Sequence, residues 1–113
     1  MLNSNLTELT ANKLLSDGTK PTLEHGTHHG NGCYYFKVGC FVCIYIDVEF
    51  SSAPTNESLF VLPAGYRPPT KMELAVSGGG SYNAKAQCVV GAGGGVSVTS
   101  VDKYVQGGGM FIV

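Results

Sequence analysis

The sequence has few charged residues, no tryptophan and no long hydrophobic run. Charged side chains make up 13% of its 113 residues, about half the share found in an average soluble protein. The net charge is −1 and Lys and Arg do not cluster, which argues against a nucleic-acid partner, because binding to phosphates needs grouped cations. No apolar stretch approaches the about 20 residues of a membrane-spanning helix. We therefore expect one folded domain with no membrane insertion.

Motifs for catalysis are also missing. There is no Gly-x-Ser-x-Gly nucleophile elbow, and the Gly-rich runs lack the lysine and the following helix of a phosphate-binding loop. Asp47 and Glu49 lie two residues apart on a predicted strand, where paired acids could act as in a glycosidase. A solvent-exposed strand end is the simpler explanation of this pair. We predict a protein that is not an enzyme and that needs no cofactor.

One group of residues has the composition of a metal site. His25, His28 and His29 lie close together with Glu24, and imidazole and carboxylate groups are ligands for Zn²⁺. The segment is rich in glycine and lacks an apolar frame, so we expect solvated loop histidines and no metal within one subunit. A metal shared by several subunits on a symmetry axis is the alternative.

The cysteines all lie within apolar runs (Cys33, Cys40, Cys43 and Cys88). Such positions predict buried, reduced thiols. The Cys40-x-x-Cys43 spacing does not indicate a zinc or redox site, because residues three apart on an extended strand point to opposite faces.

From Gly32 onward the hydrophobic pattern has a period of two, which is typical of β-strands. In residues 41–50 every even position is apolar, so we expect that face in the core and the other face to become exposed toward Asp47 and Glu49. Further strands are predicted at 33–38, 58–62, 71–76, 84–90, 96–101 and 109–113, and at most one more at 23–28. Three Gly-rich runs are predicted to be hairpin tips: 78–80, 91–95 and 107–109.

These patterns predict an all-β domain at residues 21–113, either an antiparallel β-sandwich or a jelly-roll-like barrel, in which the final strand is buried. Residues 1–20 differ from the rest of the chain. Their leucines recur at spacings of three to five, which predicts a short N-terminal helical segment or a disordered tail. A neck that packs against other subunits is the alternative role for this segment.

A stiff corner is predicted where the sequence reads Leu-Pro-Ala-Gly-Tyr-Arg-Pro. Pro63 cannot donate a hydrogen bond to a sheet and so ends a strand, and Gly65 can take the left-handed backbone of a tight turn. Pro68 forces the residue before it into extended geometry. We expect Tyr66 to be buried, and Arg67 to bond the turn and serve the fold more than a ligand.

This corner resembles one in the C-terminal head domains of bacteriophage tail-fibre, baseplate and receptor-binding proteins. There, a strand, a Gly-rich hairpin and a final short strand follow it, and residues 72–76, 78–80 and 109–113 have that order here. The resemblance covers residues 32–113. It implies a homotrimer in the virion tail or baseplate, folded in the host cytoplasm, that contacts other tail proteins and binds a host-surface saccharide. A purely structural phage module without a ligand is the main alternative, and a metal-dependent hydrolase built on the histidines is a third.

Loop tyrosines are the candidates for a saccharide site, because aromatic rings pack against sugar rings while nearby polar groups bond their hydroxyls. Tyr82 and Asn83 follow a Gly-rich tip, and Asp102 and Tyr104 lie between two predicted strands. We predict these four residues as ligand-binding.

Overall fold

The computed structural model describes residues 18–78 and 85–113. The predicted N-terminal segment lies outside the described residues up to position 17, as do Tyr82 and Asn83. Within the described ranges, no helix is long and apolar enough to cross a membrane. The strands found there are β1 Thr27–His28, β2 Tyr34–Val38, β3 Phe41–Glu49, β4 Glu57–Val61, β5 Met72–Ser77, β6 Ala86–Val90, β7 Gly95–Ser100 and β8 Tyr104–Ile112.

These strands form one antiparallel sheet that curls into a half-barrel. The hydrogen-bonded order is β1-β3-β8-β5-β6-β7-β4, and β2 pairs with β3. Strand β5 joins the two halves of the sheet, because residues 72–74 pair with β6 and residues 75–77 pair with β8. The prediction of an all-β fold of sandwich or barrel type is confirmed.

The core lies between the two halves of the curled sheet. The even-numbered residues of β3 are buried in it, as their alternation predicted, and side chains from β4, β6 and β7 enter from the opposite half. Each fully buried Val, Leu or Ile side chain contributes about 1.5–3 kcal/mol of hydrophobic stabilisation. The largest fully buried side chains include Ile46, Leu59, Leu62, Val42, Val48, Val90, Val96, Val98 and Val105.

On the other face of β3, the order of side-chain exposure is the reverse of the prediction. Asp47 is only 6% exposed, whereas Phe41 is 40% exposed. The reason is the loop after β1: the backbone N–H of His29 donates to the Asp47 carbonyl at 3.0 Å and its imidazole bonds the Asp47 carboxylate. That loop covers the end of β3 near Asp47, which was expected to be exposed to solvent.

The prediction of a hairpin tip at residues 107–109 is wrong, because these glycines lie inside β8. A Cβ atom on Gly107 would collide with the carbonyl oxygen of Ala75, and one on Gly108 would collide with that of Ile44. Glycine is therefore required at these positions, because the backbones of β5 and β3 leave no room for a side chain on β8. The run at 91–95 does form the predicted turn, between β6 and β7. Of the run at 78–80, only Gly78 is described.

The final strand is half buried, not buried as predicted. Phe111 is 4% exposed, but its neighbours Met110 and Ile112 are 54% and 58% exposed. Strand β5 pairs with β8 only at residues 106–108. Beyond that point β8 pairs with β3 alone, and its outward side chains are left uncovered.

The cysteines are free, but only two are buried as predicted. Cys33 and Cys88 are inaccessible, and burial raises the pKa of their thiols to about 11 and about 12 respectively. Cys40 is exposed because it lies in the two-residue turn between Val38 and Phe41. Cys43 is half-buried on the outward face of β3, and burial raises its pKa.

The corner after β4 is held by backbone carbonyls. The Tyr66 N–H donates to the Pro63 carbonyl at 3.1 Å, and Gly65 has the left-handed φ of 89° that this turn requires. The Nε of Arg67 donates to the Leu62 carbonyl at 2.9 Å. The turn also receives the Lys37 ammonium on the Gly65 carbonyl at 2.7 Å. All of these bonds tie the corner to the fold.

Tyr66 is half-buried at this corner, less covered than predicted. Its ring packs edge-to-face on Tyr35, with centroids 5.3 Å apart, and the Lys37 ammonium lies 5.4 Å from its centre. Pro68, two residues on, is fully buried.

Candidate functional site

The outer face of β3 and β8, opposite the core, has two chemically different ends. Direct cross-strand partners of an antiparallel sheet lie on the same face, so the odd residues of β3 stand beside the even residues of β8. In order, the pairs are Glu49–Tyr104, Asp47–Gln106, Tyr45–Gly108, Cys43–Met110 and Phe41–Ile112. We call the surface around the first two pairs the polar end and that around the last two the apolar end.

The polar end contains a small hollow of about 140 Å³ lined by His29, Asp47, Tyr104 and Gln106. The β3–β8 register places Asp47 opposite Gln106. The loop after β1 supplies His29. Three separate segments of the chain therefore converge on one cavity.

The His29–Asp47 pair is the most firmly held part of this hollow. The imidazole Nδ1 donates to Asp47 Oδ1 at 2.9 Å. The carboxylate is nearly buried, while about half of the His29 side chain is exposed. Since Nδ1 is engaged, Nε2 is the ring nitrogen left for a ligand.

Tyr104 supplies the aromatic surface of the hollow. Its ring centre lies 5.2 Å from that of His29, in an edge-to-face arrangement with an interplanar angle of 66°. The ammonium of the exposed Lys103 lies 5.7 Å from the ring centre. With the Gln106 amide, the hollow combines hydrogen-bond donors, acceptors and a half-buried ring.

A larger groove of about 620 Å³ adjoins the polar end. It is bordered by β1, by the loop after β3 and by the first residue of β4, and its apolar lining comes from Phe50, Ala53 and Pro54. Its ionisable groups are His25, Glu49 and Glu57. The imidazole Nδ1 of His25 donates to the Ser58 carbonyl at 2.9 Å and lies 3.8 Å from the Glu57 carboxylate.

The three histidines do not converge on a common point. His25 bonds Ser58 and His29 bonds Asp47, as described above. Nε2 of His28 donates to the Pro21 carbonyl at 2.9 Å, and its Nδ1 accepts the Cys33 N–H at 3.0 Å. Among residues 18–78 and 85–113, no three His, Cys, Asp or Glu side chains are placed to hold a metal ion.

Of the four predicted ligand residues, the structure describes Asp102 and Tyr104, and their surroundings differ. Tyr104 lies in the small hollow. Asp102 makes hydrogen bonds within its own turn. Its carboxylate accepts the Lys103 N–H at 2.7 Å, and its N–H donates to the Ser100 hydroxyl at 3.0 Å.

Sequence reasoning did not assign His29, Asp47 and Gln106 to a shared site. Asp47 was predicted to lie with Glu49 at an exposed strand end, and His29 to be a solvated loop histidine or, as the alternative, a metal ligand. Their meeting depends on the β3–β8 register and on the path of the loop after β1, and no local motif encodes either.

The apolar end continues onto the neighbouring strand β2. Phe36 and Val38 stand directly opposite Cys43 and Phe41, so they extend the same face. The β3 and β8 residues of this surface include Met110 and Ile112, both more than half exposed. No residue of the apolar end is charged. A soluble protein rarely leaves a contiguous surface of this kind uncovered unless it is a contact site.

The chain matches no protein-family model and no curated protein. Its function must therefore be inferred from its own residues and their geometry.

Proposed function

We propose that this chain is the head domain of a bacteriophage tail or baseplate protein and that its polar end binds a saccharide of the host surface. The observation that carries the proposal is the small hollow, in which Tyr104 stands beside the fixed His29–Asp47 pair. Saccharide sites need this combination, because sugar rings have apolar C–H faces for aromatic contact and hydroxyls for directed hydrogen bonds.

The arrangement also limits the side-chain entropy that the protein loses when a sugar binds. Asp47 is already oriented by His29 and nearly buried, so little side-chain entropy is lost when a ligand arrives. His29 Nε2 and the Gln106 amide are polar groups of the hollow that can bond sugar hydroxyls. Affinity for a single sugar is expected to be weak for so small a hollow.

The corner at Pro63–Pro68 supports the assignment to phage head domains. Its sequence resembles theirs, and in this chain its residues have structural tasks: Gly65 makes the turn and Arg67 bonds the Leu62 carbonyl. The resemblance therefore lies in residues that build the fold, and receptor choice is left to other surfaces.

We further propose that the protein is a homotrimer whose subunits meet through the apolar end. The same surface on every copy can approach a symmetry axis without bringing like charges together, because it carries none. Phe41, Met110 and Ile112 supply exposed apolar area for such a contact. Contacts with other tail or baseplate proteins and a location in the virion follow from the same assignment.

A glycan array tests the proposed ligand class. Purified protein should bind a subset of bacterial surface glycans, and Gln106→Ala and Tyr104→Ala should each lower that signal. Gln87→Ala is a matched control, because Gln87 is also an exposed strand glutamine but bonds Glu73 on the other half of the sheet. Equal signals from the Gln106 and Gln87 variants would refute the site.

The second candidate function is a structural phage module without a ligand. The apolar end favours it, since assembly alone would explain that surface. A stable trimer that binds no glycan on the array would establish this alternative over the first.

A further inference from the structure

The small hollow and the large groove are lined by residues that are neighbours across the sheet. Glu49 stands between two strands, opposite Thr27 of β1 and opposite Tyr104 of β8. Thr27 and Glu49 line the large groove, whereas Tyr104 lines the small hollow. The Thr27 hydroxyl also donates to the Glu49 carbonyl at 3.3 Å. A ligand that lies over this row of three residues therefore reaches both cavities.

The two cavities differ in size in a way that suits a chain of sugars. The hollow measures about 140 Å³ and the groove about 620 Å³. Pockets for small molecules usually hold about 300–1,000 Å³, so the hollow alone is below that range and the groove is within it. One sugar unit in the hollow would leave the groove free for the next units of the same chain.

The charges along this path are mainly negative. Glu49 and Glu57 line the groove and Asp47 lines the hollow. Among the described residues that line either cavity, the basic groups are histidines, which bond Ser58 and Asp47. Lys103 is the nearest ammonium and stands outside the hollow, over Tyr104. An anionic ligand would therefore meet more carboxylates than ammonium groups.

We infer that the hollow and the groove are two subsites of one cleft, which takes an oligosaccharide of two or more units that is neutral or amino-bearing, and not anionic. This inference rests on the proposed saccharide function and specifies its ligand class. Carboxylate oxygens are strong acceptors for sugar hydroxyls and ammonium groups. They repel a uronate, sialate or phosphate at the same distance.

The test is a binding series by calorimetry on the full chain. The probes are one glycan that the array identifies, its monosaccharide, and a version of the same length that carries carboxylate or phosphate groups. The oligosaccharide should bind about tenfold or more tightly than the monosaccharide, and the anionic version about tenfold more weakly than the neutral one.

Two carboxylate variants locate the effect. Glu49→Gln and Glu57→Gln should each reduce the discrimination against the anionic probe, because each removes one repelling charge from the groove. Glu73→Gln is the matched control, since Glu73 is an exposed strand carboxylate that bonds Gln87 outside the cleft. It should leave the discrimination unchanged.

The outcomes separate the two proposals. If no glycan binds at all, both the saccharide function and this inference fail. If glycans bind but the monosaccharide binds as tightly as its oligomer, or the anionic probe as tightly as the neutral one, only the inference fails. Equal discrimination by the Glu49 and Glu73 variants would also overturn it.

Discussion

The two ends of one sheet face are built from the same pair of strands and yet have opposite character. At the polar end Asp47 is nearly buried and hydrogen-bonded, and at the apolar end Phe41 and Ile112 are 40% and 58% exposed. Both ends lie on β3 and β8, in one unbroken register. The strand residues set the polarity of each end, but the difference in exposure arises from what covers the strands.

The cover differs for two reasons. The loop after β1 folds over Asp47 and covers the polar end except for the small hollow. At the other end, β5 leaves β8 after Gly108 and pairs with β6. A polar surface partly closed by a loop favours small ligands, whereas an open apolar one favours a second copy of the chain.

Ile112→Lys should have the largest effect, because assembly would then bury an unpaired ammonium group at the apolar end. Removing such a charge from water costs several kcal/mol, so we expect the proposed trimer to dissociate at micromolar concentration. Sedimentation velocity measures this. Val61→Lys is the matched control, since Val61 is exposed to a similar degree, 56% against 58%, but lies outside the apolar end. Dissociation by both variants, or a monomeric parent protein, would refute the contact.

Gly108→Ala should destabilise the fold at a position between the polar end and the apolar end. The new Cβ atom would meet the backbone carbonyl of Ile44, which cannot move without breaking the β3–β8 pairing. We expect a loss of about 3 kcal/mol in the free energy of unfolding, measured by urea denaturation. Gly93→Ala has open space around its Cβ position and should be nearly neutral. Equal stability of the two variants would contradict the close packing of β8.

Arg67→Ala should destabilise the fold without touching either end of the outer face. The lost bond to the Leu62 carbonyl is charge-assisted, and such bonds contribute about 1.5–3 kcal/mol. The lower value applies because Arg67 is exposed and its bond to Leu62 is only partly buried. We expect a lower melting temperature with unchanged glycan affinity. An Arg67 variant that melts like the parent but no longer binds would reverse this assignment.

High pH should weaken the fold through the two buried thiols. Because their pKa values are raised to about 11 and about 12 from 9.0, the unfolded chain loses these protons first. The stability that they contribute is complete below pH 9 and falls as pH rises through the folded-state values. At pH 10 the loss is about 1.4 kcal/mol per thiol. Chemical denaturation at pH 8 and pH 10 measures it, and Cys88→Ala should show a smaller decrease than the parent protein.

The sequence predicted the fold class and the core strands because alternation of apolar residues reports directly on which face is buried. It placed Val42, Ile44, Ile46 and Val48 in the core, and they are there. Alternation says nothing about the outer face, which depends on neighbours distant in sequence. The burial of Asp47 by the loop after β1 was missed for this reason.

Glycine was the other source of error. A run of three glycines marks a turn in many chains, and at 91–95 it does so here. At 107–109 it marks the close approach of three backbones, which depends on β5 and β3. Tyr104 was predicted as a ligand-binding residue because it lies between two predicted strands. Its neighbours His29, Asp47 and Gln106 could not be predicted without knowing the β3–β8 register.

The most direct measurement of the division between the two ends is hydroxyl-radical footprinting of the parent protein, which reports side-chain exposure residue by residue. Raising the protein concentration should protect Met110 and Phe41 while His29 and Tyr104 stay reactive. Adding the glycan identified on the array should then protect His29 and Tyr104 and leave Met110 unchanged. Protection of both ends by the same change, or of neither, would contradict a face divided between assembly and binding.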